Sequence, residues 1–499
     1  TVSNSGTFTV AANGAAANTV SGASTDAATG SEMESSVNTA TITNTGTLSV
    51  SATTAQGGPT EATGIRINAF TPLNGTVPGV DDVLTINNNG GTIIARRSGD
   101  GGATWAHGLA IDTSDAPNAA VINLTGGATK GVIYGGIDLS ADDTINVSSG
   151  LTEFDGVINP GSELEGQLNI AATGTLYLKD KPWANTSYDG PAAVNVDDFN
   201  IAAGGTLAID LPTAPVPADA IVAYPVVRAN TADITGSNLV VYANSSNGLY
   251  ADSYTYNDVI VTPGDVLTGP GGLTGTFASI TTIAETPLLT FTALYNQNEN
   301  IDEDVIGGDV DLVMTRVAFG AAPGLTFNQS SVGDGIENVY DPEMTGAFAG
   351  MVGDLFNEDA AGYADALDQL SAEPYASYLQ SLTGLASRFN GLILNETDCA
   401  VIKIGETQPC RQETGGRIWG QINYGHLKKD GDSEAGGYKA DQYYMALGAD
   451  FAVSPDTVLG IAAAWVKHDL NFSRYNAKIK SDGFQVAAYA VYDPGQLYA

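Results

Sequence analysis

The chain has 499 residues, 60 of them glycine, and sets 56 Asp and Glu against 19 Lys and Arg, a formal charge of −37. So acidic a composition, concentrated before residue 399, argues against nucleic acid and anionic membrane surfaces as partners of that part and favours solubility, divalent cations or basic partners. It has no run of eighteen apolar residues, which excludes a membrane-crossing helix, and Thr1 is followed by no charged-then-apolar signal segment, so a secretory signal is expected to have been removed or to lie outside this sequence. The charge is uneven: residues 1–398 hold 9 basic and 45 acidic side chains, whereas residues 399–499 hold 10 and 11.

Residues 1–210 carry an irregular repeat. Thr1-Val2-Ser3-Asn4-Ser5-Gly6-Thr7-Phe8-Thr9-Val10 matches Thr41-Ile42-Thr43-Asn44-Thr45-Gly46-Thr47-Leu48-Ser49-Val50 position for position, and Thr85–Ile93 repeats it with one extra glycine. Looser copies follow at Val121–Gly127, Ile145–Gly150, Leu168–Leu178 and Phe199–Leu207. A strand, an Asn-x-Gly turn and a second strand, repeated, predict a right-handed parallel β-helix. Asn and Gly are expected at positive-φ turn positions, with equivalent Asn residues stacked between coils. Asn4, Asn44 and Asn88 should then occupy equivalent positions, with Phe8, Leu48 and a residue near Ile93 pointing inward. The competing reading is a β-sandwich with glycine turns, which does not require repeated turn chemistry.

Over residues 180–270 the chain departs from the repeat, with prolines clustered at Pro212–Pro217, and from about Ala220 to Phe319 it again reads as short strands. In residues 340–395 the period changes. Tyr375, Leu379, Leu382, Ala386, Phe389 and Ile393 recur at steps of four and three, which predicts a helix over about Ser371 to Leu394. Ser371 suits its N-cap and Pro374 its first turn.

From Arg417 the chain alternates with period two. Ile418, Gly420, Ile422 and Tyr424 oppose Arg417, Gln421 and Asn423; Tyr443, Met445, Leu447, Ala449 and Phe451 oppose Gln442, Tyr444, Gly448 and Asp450. Leu459, Ile461, Ala463 and Trp465 oppose Gly460, Ala462 and Ala464, and Phe484, Val486, Ala488 and Ala490 oppose Gln485, Ala487 and Tyr489. Strands of roughly ten residues with one apolar face predict a transmembrane β-barrel. His426–Gly437 and Lys467–Ser481 read as long loops, and Ser454-Pro455-Asp456 and Asp493-Pro494-Gly495 as tight turns.

Arg417-Ile418-Trp419-Gly420-Gln421, Tyr443–Asp450 and Ser481-Asp482-Gly483-Phe484-Gln485 resemble the opening strands of the autotransporter translocator barrel of type V secretion. Gly308–Arg316 resembles the closing strand of that family's passenger, and Leu370–Ser377 its linker helix. The sequence stops where a fifth strand begins, and four or five strands cannot close a barrel, so it is read as a segment of a longer protein. The resemblance implies an all-β chain: a β-helix passenger over 1–215, an autochaperone-like cap over 216–320, a linker over 321–400, and the start of an outer-membrane barrel over 401–499. The linker would thread the pore with a helix bearing Tyr375, Leu379, Leu382, Ala386 and Phe389, beside a lumen lined by Gln421, Asn423, Gln442 and Gln485. The family further implies outer-membrane lipid, barrel-assembly machinery and periplasmic chaperones as partners, with the passenger outside the cell.

Candidates for chemistry are few. His107 is the only passenger histidine, and no nucleophile elbow accompanies it and Asp112. The pairs Asp81-Asp82, Asp142-Asp143 and Asp197-Asp198 could serve a sugar-cleaving β-helix, but acidic pairs in turns are more often solvated. Asp302, Asp304, Asp309 and Asp311 offer oxygen ligands for Ca²⁺ without the spacing of calcium-binding β-rolls. Cys399 and Cys410 are candidates for a short-range disulfide near the periplasmic end of the barrel. We therefore expect a non-enzymatic, self-exported surface protein for adhesion, aggregation or coating, with its surface ligand unspecified and no cofactor. The alternatives are a polysaccharide-acting passenger and a Ca²⁺-dependent surface-layer or filament component.

Overall fold

The computed structural model describes residues 2–14, 26–34, 39–54, 60–68, 83–116, 119–161, 163–179, 193–212, 224–244, 248–262, 272–282, 285–302, 305–398, 415–454 and 456–492. They fall into two compact units: Thr1–Val317 with Asp341–Asp359, and Ala318–Tyr340 with Ala360–Ala499.

In the first unit most strands pair parallel, each with its counterpart one coil away; the short Ala106–His107 strand pairs antiparallel with Thr92–Ser98. Val2–Asn4 pairs with Thr39–Asn44, which pairs with Val83–Asn89, then Ala120–Thr125 and the start of Thr144–Asp155. Two further sides are built the same way, one through Thr47–Thr54 and Thr92–Ser98, the other through Thr60–Asn68 and Leu109–Asp112. Parallel pairing buries both the ladder and one face of every strand, so inward positions must be apolar. Three columns meet that demand. Ile42, Ile86, Ile122, Ile145, Leu168 and Phe199 form the first, Leu48, Ile93, Ile133, Phe154, Leu178 and Ile209 the second, and Ile65, Ile111, Ile137, Ile158 and Val194 the third; all are buried.

The repeat aligns as expected. Asn4 faces Asn44, Asn44 faces Asn88, and Phe8, Leu48 and Ile93 share one register. The role assigned to asparagine needs correction, because Asn4 and Asn44 end strands, Asn88 stands one residue before a strand end, and in the third copy the left-handed conformation falls on Gly90, at φ 66°. Asn44 and Asn88 are buried, and each amide satisfies polar groups in the turn. Asn44 Nδ2 donates to Asn88 Oδ1 at 2.8 Å, and Asn88 Nδ2 donates to the Gly91 carbonyl at 2.9 Å.

The coil ends where pairing changes sense. Val305–Arg316 runs antiparallel to both Ser253–Thr262 and Leu289–Asp302. The expected closing strand Gly308–Arg316 lies within it. Antiparallel strands laid over the last coil give its backbone groups partners that an open parallel edge would lack.

The second unit holds a four-stranded antiparallel sheet of consecutive hairpins, Gly415–Lys429, Tyr438–Ser454, Thr457–Phe472 and Ala477–Tyr492. These strands are 15, 17, 16 and 16 residues long, well beyond the ten expected. The expected loop Lys467–Ser481 is mostly strand, because the hairpin continues to Phe472 and Ala477 with buried Leu470 and Phe472 on its inner face. Only 430–437 remains a longer connection.

Among the described residues four α-helices precede the sheet, where the sequence pattern predicts one: α1 (Phe327–Glu337), α2 (Ala347–Leu355), α3 (Ala360–Leu370) and α4 (Glu373–Asp398). α1 starts on a capping box in which Thr326 and Gln329 bond each other's backbone. α4 starts two residues later than expected and runs four further, with Ser371 Oγ accepting the Glu373 N–H at 3.2 Å. α2 belongs to the first unit, where Phe356 tilts against Tyr250.

Candidate outer-membrane anchoring and export site

The four-stranded sheet has two unlike faces. On one, Ile418, Ile422, Leu447, Ile461, Phe484 and Val486 are exposed, Ile418 by 84 %. This face matches the alternation expected from the sequence. A contiguous apolar face open to the surroundings is stable only against lipid or another apolar surface. Its extent fits a bilayer. From Tyr443 to Val453 the outward side chains cover about 34 Å of strand, which at a tilt of about 40° spans roughly 26 Å against an apolar band of about 25 Å.

The opposite face carries small, polar and aromatic residues, and α4 lies along it. Leu385, Phe389, Leu392 and Ile393 form one buried cluster with Trp419, Tyr444, Ala446, Ala462, Ala464 and Val466. Ala446, Ala462 and Ala464 leave the depth a helix needs. The glycines serve the aromatic side chains instead. A Cβ on Gly448 would sit 2.2 Å from the Trp419 ring, and one on Gly460 2.2 Å from the Tyr489 ring.

The helix direction follows from its ends. At its start, Glu373 accepts the Gly436 N–H at 2.9 Å from the 430–437 connection and also binds the Tyr475 hydroxyl. Tyr475 is pushed up to about 12 by burial and by that carboxylate. Gln380 accepts from Lys429 at 2.9 Å, and buried Ser381 lies 2.9 Å from His468 Nε2. At its end, Glu396 pairs with Arg417 at 3.1 Å, and Arg417 Nε donates to Asp450 at 2.9 Å. Asp450 also takes the Tyr489 hydroxyl, and the Trp419 indole N–H lies 3.3 Å from its carboxylate. α4 thus runs from the long-connection end of the sheet to the tight-turn end, held at each by charged hydrogen bonds.

The helix is turned from the expected phase. Of the five threading positions, Phe389 is buried and Leu382 half-buried, but Tyr375, Leu379 and Ala386 are exposed. Two side-by-side stripes exist on this helix, and the one carrying Leu385 and Leu392 packs on the sheet. Of the four expected lumen residues, Gln442 is buried and Gln485 half-buried, whereas Gln421 and Asn423 are exposed. Trp419, the centre of the cluster, was missed. Its step-two spacing to Arg417 and Gln421 places it on the inner face from sequence alone.

The remaining candidates separate. Cys399 and Cys410 lie outside the described residues, as do Asp304 and the Asp81-Asp82 pair, and Asp302 is described only as strand backbone. Asp309 and Asp311 come together with Asp258, which the sequence did not suggest, each with a carboxylate oxygen within 4.8 Å of the others. Asp258 takes φ 55° at a break in strand register, and its N–H donates to Asp311 at 2.8 Å. Oxygen-only ligands of this kind suit a hard divalent cation. His107 pairs with Asp155 at 3.0 Å, whereas Asp112 pairs with Arg66 at 2.9 Å. Asp143 is fully buried and accepts from the Ala120 N–H at 2.6 Å and the Thr113 hydroxyl at 2.7 Å.

Residues 418–499 match the family model of the autotransporter beta-domain. That segment is similar to the autotransporter beta-domain. No curated protein and no solved structure matches the chain. The autotransporter beta-domain implies an outer-membrane secretion protein, served by outer-membrane assembly machinery, with the upstream chain exposed at the surface.

Proposed function

We propose that this chain is a self-exported surface protein whose autotransporter beta-domain anchors and translocates a right-handed β-helical passenger, and that the passenger acts by binding rather than catalysis, in adhesion, aggregation or surface coating. The observation that carries the reading is α4, which lies along the small and polar face of a sheet whose other face is apolar and exposed. A chain segment on the inner side of a lipid-facing wall is what an exported polypeptide leaves behind.

The non-catalytic part rests on what the acidic groups do. Asp143 ties turns together, and Asp197 and Asp198 accept from Asn230 and Thr231 on the next coil. Carboxylates engaged in this way hold the coils in register, which supports a structural role for these acidic groups. The test is display of the chain in a bacterium with an outer membrane, carrying an epitope inserted in residues 15–25. Antibody should label intact cells, and cells bearing the chain should settle or attach more than cells without it. Label appearing only after lysis would refute export, and surface label without attachment would refute the binding role.

A further inference from the structure

The first unit carries a cleft of about 440 Å³ that the export reading leaves unused. Its floor is an outward strip in which Thr63, Leu109 and Gly136 follow one another in register, with Val157 on the next coil. Gly136 keeps the strip hollow, since a Cβ there would lie 3.2 Å from Leu109 Cδ2 and 3.0 Å from the Val157 carbonyl. The rim is polar and fixed. Arg66 is held by Asp112 at 2.9 Å and by the Thr63 hydroxyl at 3.2 Å, with Glu61 3.9 Å away. His107 sits against Asp155 at 3.0 Å and edge-on to Tyr134 at 4.6 Å. Arg97 stands on the Thr92–Ser98 strand next to a turn braced by Ser98, Asp100 and Thr104. It is exposed, and no carboxylate among the described residues pairs with it. Residues 1–398 have 45 acidic side chains and 9 basic ones, so an arginine left without an acid beside such a cleft is conspicuous.

We propose that this cleft binds an acidic sugar, a pyranose whose carboxylate is taken by Arg97 while its C–H face rests on Leu109 and Val157. Three features choose this class. A cleft of this volume takes a small ligand or one to two sugar residues. The guanidinium fork matches a carboxylate, and the apolar floor matches a ring that hides no polar group beneath it. A peptide would lay amide groups over the same floor, where the strands are already paired in the parallel ladder and offer them no partner. A polyanion is disfavoured by the acidic surface around the cleft, whereas one carboxylate contacts Arg97 within a Debye length of about 8 Å.

The proposal rests on the passenger reading only for where the ligand would be met. Binding is therefore measured on the purified full chain in detergent, so that failed export and failed binding are distinguishable. The probes are D-galacturonate, D-galactose, which differs at one carbon, and N-acetylglutamate as a non-sugar carboxylate, read by saturation-transfer NMR and competition. Galacturonate should bind at least about tenfold better than galactose, and R97A should remove that preference, with R97K recovering part of it. E61Q should strengthen galacturonate by about two- to fivefold, because it removes a negative charge from the lining of the cleft; misfolding could not produce this gain. Equal binding of galactose, unchanged binding in R97A, weaker binding in E61Q, or N-acetylglutamate competing as well as galacturonate would each overturn the proposal, as would no galacturonate binding at all.

Discussion

Gly448 shows how much one missing side chain decides on the inner face of the sheet. The Trp419 ring occupies the place where a Cβ would stand, 2.2 Å from it, and that ring anchors the cluster under α4. G448V should therefore abolish the folded sheet, seen as loss of the heat-modifiable band on a gel, while A463V on the exposed face should leave it intact. W419A combined with G448V should recover part of the folded form, because the ring is the obstacle. Sequence alternation shows which face Gly448 occupies, but not that an aromatic from the neighbouring strand fills its space. The buried Asn44–Asn88 pair was legible for the opposite reason, since identical residues in a repeat take identical positions. What the repeat hid was a second row. Asn87, Asn123, Asn146, Asn169 and Asn200 bond one another in sequence along the outside of five coils, at 2.9 to 3.3 Å. The alternation of Ile122 with Asn123 or Leu168 with Asn169 carried that signal.

At the scale of elements, the sheet was legible because apolar and polar residues alternate for dozens of positions. Strand ends were not, since residues such as His468 and Lys478 read as loop until their partners are seen. The phase of α4 was misread because two apolar stripes lie side by side on it, and only the sheet selects between them. The selected stripe makes a direct claim. Cysteines replacing Gln380 and Lys429, in a chain whose own two cysteines are changed to serine, should join through a short bifunctional reagent, because the native side chains are bonded at 2.9 Å. A cysteine at exposed Ala386 paired with the Lys429 position should not. The outward face makes a second claim. V486R should cost about 2–4 kcal/mol in lipid if Val486 sits near the bilayer centre, read by urea-dependent unfolding in vesicles. The tight turn at Asp456 carries no such cost, so D456R should be nearly neutral.

For the molecule as a whole, charge sets the response to acid. Burial raises Asp143, and burial together with nearby Asp112 raises Asp138, above their ordinary 3.8. Carboxyls raised on folding stabilise when protonated, and that contribution is lost as pH rises through the folded value. Self-repulsion at a formal −37 has the same sign. The parallel coil should therefore melt at a higher temperature at about pH 5 than at pH 7, by circular dichroism, and D138N should flatten the difference. Asp100 is held low by its bonds to Thr104, so its own loss falls below this range.

The stacked register also determines how the coil would give way under load. Among the described residues the parallel strands are bonded to their counterparts one coil before and one coil after, as Thr85 is to Thr41 and Val121. Stability in such a stack is a sum of nearest-neighbour terms. Force applied to one end would meet a single coil at a time, and the rest would carry no share until that coil had peeled away. Pulled from its tip, the coil would extend as a series of small, similar yields, a tether that lengthens and dissipates work where a globular domain would snap open once.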